Sequence, residues 1–115
     1  MLTPDLIIQE LQDIRKQSEK GVELLAHAEQ KYIQLDLEAE RIEAQALLAA
    51  EGTVVDRQAR AKLESSQARL EASVARVEVQ RIKTKLRHLS ESMMAVMSAG
   101  KMVEITYKSA GIGER

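Results

Sequence analysis

The sequence predicts an all-α protein: a long antiparallel two-helix coiled-coil hairpin with a short C-terminal segment, self-associating into a helical oligomer. Three observations lead there. Hydrophobic residues recur at alternating spacings of four and three along most of the chain. One glycine-centred break divides it into two arms of similar length. The composition is that of a long helix, with 44% hydrophobic and 30% charged residues, one proline (Pro4), two tyrosines (Tyr32 and Tyr107) and neither Phe nor Trp. Aromatic side chains bury roughly 150–250 Å² each. A chain almost without them must build a thin, extended core from Leu, Ile, Val, Ala and Met.

The first arm opens at Thr3-Pro4-Asp5: an N-cap hydroxyl, a proline at the first helical position, and an acid that suits the positive helix end. From there Ile7, Leu11, Ile14, Ser18, Gly21, Leu25, Ala28, Tyr32, Leu35, Ala39, Ile42 and Ala46 form an unbroken heptad seam. Ser18 and Gly21 are small where a large residue is expected, which points to close approach of another chain or a locally weak helix. The arm is expected to span about residues 4–50.

The turn falls at residues 51–53. Gly52 suits a left-handed helix C-cap, and Thr53 with Asp56 resembles a capping box that starts the second helix. That helix is expected over about 53–99, so each arm measures about 70 Å at 1.5 Å per residue. Equal arms around one short turn predict antiparallel pairing.

The second arm carries two apolar lines, read as adjacent. One is Ala59, Leu63, Ser66, Leu70, Ser73 and Val77; the other is Ala68, Ala72, Ala75, Val79, Ile82, Leu86, Leu89, Met93 and Val96. A lone hairpin would leave one line wet, so hairpins are expected to pack on one another. The expected oligomer or partner interface is Val79, Ile82, Leu86, Leu89, Met93, Val96 and Met97. Gly100 interrupts the pattern, and Met102, Val103, Ile105 and Tyr107 form a C-terminal segment (101–108) whose conformation the sequence leaves open. The hairpin domain is therefore expected over 1–108, with 109–115, including Gly111 and Gly113, as a flexible tail.

Charge is uneven along the chain. Residues 1–52 carry 5 basic and 11 acidic side chains, residues 53–90 carry 9 and 4, and the remainder 3 and 3. Two readings stay open for the basic second arm. It zips against the acidic first arm, or it presents Arg57, Arg60, Lys62, Arg76, Arg81, Lys83, Lys85 and Arg87 to a polyanion such as single-stranded DNA. With so few aromatics, such binding would be electrostatic and salt-sensitive.

The chain has no cysteine, which excludes disulfides and thiolate zinc sites. His27 and His88 stand alone; Glu23 and His27 are four apart, not at the Glu-x-x-His spacing of di-iron bundles. No nucleophile has a base and an orienting group beside it. No enzyme activity, cofactor, metal or small-molecule substrate is expected. Met93, Met94, Met97 and Met102 are expected to fill core, with an adaptable partner surface as the alternative. No basic leader precedes an apolar run, and no stretch approaches the roughly 20 apolar residues of a membrane span, so a cytoplasmic protein is expected.

Arg41-Ile42-Glu43-Ala44-Gln45, the short turn, Asp56-Arg57, and Ser98-Ala99-Gly100 together resemble the UvsY-type recombination mediators of bacteriophages, over about residues 40–105. The resemblance implies a small oligomeric helical protein of the bacterial host cytoplasm. It would bind single-stranded DNA and help a recombinase displace single-strand-binding protein. One departure bears on the site: the family archetype has a basic run after the segment matching 41–45, whereas Ala46-Leu47-Leu48-Ala49-Ala50 is uncharged here. Any DNA contacts would then come from the second arm. The alternatives are a small protein-binding inhibitor or adaptor, for example against a host defence complex, and a structural coiled-coil scaffold.

Overall fold

The computed structural model describes residues 3–109, and the expected tail residues 110–115 lie outside that range. The described chain is two long helices, α1 (Pro4–Ala49) and α2 (Val54–Ser109), paired as an all-α antiparallel hairpin. Both starts are capped as the sequence predicts. The Leu6 amide donates to the Thr3 hydroxyl at 3.3 Å, and the Asp56 amide to the Thr53 hydroxyl at 3.2 Å. Between the helices Gly52 takes a φ of +112°, a conformation that L side chains rarely adopt.

The chain divides into two compact units. The turn-proximal unit, Leu24–Ile82, has a core of short side chains: Ala39, Ala46, Ala61, Ser65, Ala72 and Ala75 are buried, with Val79. Side chains this short are covered only where two helix backbones approach closely. The buried Ser65 hydroxyl donates to its own helix, to the Lys62 carbonyl at 3.3 Å. In the other unit, residues 3–23 of α1 pair with 83–109 of α2, and Ile7 and Ile14 are buried. Here small faces large. A Cβ on Gly21 would stand 2.6 Å from Leu86 Cδ2, and one on Gly100 would stand 3.4 Å from Ile7 Cγ2. The gap at Gly21 is thus filled by the chain's own second helix, not by another chain.

All twelve seam positions expected on α1 are buried or half-buried. The expectation for α2 needs two corrections. The helix does not stop near residue 99 but continues through Gly100 to Ser109. A helical glycine costs only about 1 kcal/mol relative to alanine, and the half-buried Val103 extends the seam beyond it. The last turns are held locally, by the Thr106 hydroxyl on the Met102 carbonyl (2.9 Å) and by Lys108 on Glu104 (3.1 Å). Residues 101–108, with Ser109, are therefore helix.

The two apolar lines of α2 are not adjacent as expected but opposed. They are offset by two residues, about 200° around a helix of 3.6 residues per turn, so they lie on opposite sides of α2. The line from Ala68 to Val96 faces α1: Val79 is 4% exposed, and Ile82, Leu86, Leu89, Met93 and Val96 are half-buried within the chain. Of the expected interface only Met97 remains on the surface. The wet line is the other one, with Leu63 75%, Leu70 58% and Val77 64% exposed.

Candidate functional site

The cations of α2 divide by what α1 places beside them. Arg57 lies in the first turns of α2, next to the end of α1, where the last carbonyls have no helical partner. Its Nη2 donates to the Leu47 carbonyl at 2.9 Å, capping α1, while its buried Nε has no partner. Arg57 is therefore half-buried and tied to the end of α1, unlike the candidate contacts that stand on the surface.

Arg69 pairs with Glu43 across the two helices. The pair belongs to a repeat. Glu29, Asp36 and Glu43 recur every seven residues on α1, and Lys62, Arg69, Arg76 and Lys83 recur every seven on α2. Each follows a seam residue directly, at the flanking position where coiled-coil ion pairs form. All three acids are half-buried. Asp36 and Arg76 border one shallow cavity of about 170 Å³ together with Tyr32, Arg69, Ala72 and Ser73. Lys83 also has an interaction partner. Arg81 lies 3.5 Å from Glu78 of its own helix, both largely exposed, a pairing worth at most about 1 kcal/mol.

Among the described residues, Arg60, Lys62, Arg76, Lys85 and Arg87 are exposed, and their side chains make no hydrogen bond or ion pair. One cross-helix ion pair, Arg69 with Glu43, and cations without a side-chain partner thus coexist on one helix. Arg41, in the segment that carries the family resemblance, has local partners: its Nε donates to Glu38 at 2.9 Å and its Nη1 to Gln45 at 2.9 Å. Hydrogen bonding to Arg41, aided by charge attraction and opposed by some desolvation, holds the Glu38 carboxyl below its ordinary pKa.

Beside the wet line, the turn-proximal unit has an open groove. Ala28, Leu35, Leu70, Val74 and Ala75 form its apolar surface, and His27, Lys31, Gln67, Glu71 and Glu78 its rim. Of the four methionines near the end of α2, Met93 is half-buried in the seam, while Met94, Met97 and Met102 are exposed. They do not fill core as expected, because seam positions recur only every three or four residues. His88 Nδ1 lies 3.6 Å from Glu91. Among the described residues no His, Asp or Glu cluster could hold a metal ion, and no helix is long and apolar enough to cross a membrane.

Sequence reasoning missed the cap formed by Arg57 and the seven-residue charge repeat. The repeat is visible in the sequence when charges are counted at the seam period. No protein-family model, curated protein or solved structure matches the chain.

Proposed function

We propose that this protein is a non-enzymatic accessory of DNA recombination, of the UvsY mediator type. It binds single-stranded DNA electrostatically and presents its helical surface to a recombinase or a single-strand-binding protein in the cytoplasm of a bacterial host. The observation that carries the reading is the set of five exposed cations on α2, Arg60, Lys62, Arg76, Lys85 and Arg87, without partners among the described residues. A long side chain that balances no internal charge is available to phosphate, and phosphate contacts supply sequence-independent affinity. Of the two tyrosines Tyr32 lies in the seam and Tyr107 is exposed, so stacking on bases is limited to one ring. The preference for single strands comes from the family resemblance alone.

The test replaces these five residues by alanine and titrates a labelled single-stranded oligonucleotide at two salt concentrations. Affinity should fall, and the slope of log affinity on log salt should flatten by about 0.7 for each phosphate no longer neutralised. An unchanged titration would contradict this assignment of the cations.

A second reading has its own support in the wet line Leu63, Leu70 and Val77 and the exposed Met94, Met97 and Met102. Here the protein is an inhibitor, adaptor or scaffold that docks an apolar partner surface. Wild-type protein that ignores oligonucleotides at low salt would favour it.

A further inference from the structure

The wet line of α2 has an internal symmetry of size. Ala59, Leu63, Ser66, Leu70, Ser73 and Val77 alternate small and large at spacings of four and three, and all six are exposed. We infer that this face pairs with the same face of a second copy, the two α2 helices antiparallel and centred at the level of Ala68. That register sets Leu63 opposite Ser73 of the second copy, Leu70 opposite Ser66, and Val77 opposite Ala59. Every large side chain then meets a small one. Parallel pairing in register would instead stack Leu on Leu and leave serine on serine in the next layer.

A two-fold contact requires one patch to be complementary to itself, whereas a foreign partner imposes no such symmetry on the sequence. The chain already uses this fit internally, where Leu86 fills the space beside Gly21. The flanking charges oppose the pairing mildly. Lys62 comes near Arg76 of the second copy, and Arg69 near its own counterpart, which Glu43 already balances. The free cations Lys62 and Arg76 thus gather along one edge of the paired helices, where a phosphate would relieve their repulsion. That edge deepens the nucleic-acid reading, while the pairing itself rests on the apolar line.

The full chain is placed in light scattering at micromolar concentration and physiological salt, without DNA. Wild type should show at least twice the 12.8 kDa chain mass. Ser66→Leu sets leucine against leucine and should weaken association about tenfold or more, roughly 1.4 kcal/mol. Adding Leu70→Ser exchanges the large and small positions and should restore it. Circular dichroism should show unchanged helix content, because both positions are exposed. The chain has no cysteine, so Leu63→Cys with Ser73→Cys should give a covalent dimer on oxidation, and Leu63→Cys alone should not. A monomeric wild type, unweakened association in Ser66→Leu, no rescue by the exchange, or equal cross-linking of the two cysteine variants would overturn the pairing. Failure of the nucleic-acid reading would appear only in the oligonucleotide titration.

Discussion

Leu86 occupies the space that the missing side chain of Gly21 leaves on the facing helix, its Cδ2 2.6 Å from where a Cβ on Gly21 would stand. The two residues should therefore be energetically coupled. Gly21→Val overpacks the seam and should destabilise by about 1–3 kcal/mol in urea unfolding. Gly21→Ala should be more favourable in a Leu86→Ala background than in wild type, with a coupling of about 0.5–3 kcal/mol. Additive effects would show that the two side chains do not meet.

The other glycines of the hairpin should respond with opposite signs. At φ +112° Gly52 is strained by any side chain, and Gly52→Val should cost about 1–2 kcal/mol. Gly100 is helical, and a Cβ there would meet Ile7 at 3.4 Å, an ordinary contact. Gly100→Ala should therefore stabilise by roughly 0.5–1 kcal/mol. Both are read as shifts in melting temperature.

Arg57 should matter for stability and not for DNA. Arg57→Ala removes a charged donor from the Leu47 carbonyl and should cost about 1.5–3 kcal/mol. Oligonucleotide affinity at fixed salt should hold within about twofold, below the roughly 1.4 kcal/mol of a tenfold change. A large loss of affinity with unchanged stability would return Arg57 to the set of phosphate-binding residues.

The Glu38 carboxyl should titrate below its ordinary value, because hydrogen bonding to Arg41 favours its charged form. Its folded-state pKa is depressed, so any stabilisation it gives is present above the unfolded-state pKa. That stabilisation is lost as the pH falls through the folded-state pKa. Carboxyl NMR should show Glu38 shifted down in wild type and returned to the ordinary range in Arg41→Ala. An unshifted wild-type Glu38 would mean that the pair does not persist in solution.

Much of the fold was legible in the sequence because local chemistry and period agree. Thr3 and Thr53 read as caps and are caps; Gly52 reads as the turn and has positive φ; the twelve α1 positions read as a seam are the covered ones. Gly100 misled because one glycine penalty is small beside a continuing apolar stripe. The site was harder to read. Periodicity marks two lines on α2 but does not say which one faces α1, so an interface read from periodicity alone falls on the covered side. The fate of each cation depends on the register between the helices. Glu43 with Arg69, and Leu47 with Arg57, become partners only once that register is fixed.

On the proposed reading, α2 carries cations without internal partners for use on phosphate. Titration of wild-type protein with a labelled single-stranded oligonucleotide over a series of salt concentrations decides whether it does. Binding is expected at low salt, with a log–log slope that steepens by about 0.7 per phosphate neutralised and reaches roughly −3.5 when Arg60, Lys62, Arg76, Lys85 and Arg87 all engage. No binding at the lowest salt, or binding that ignores salt, would contradict it.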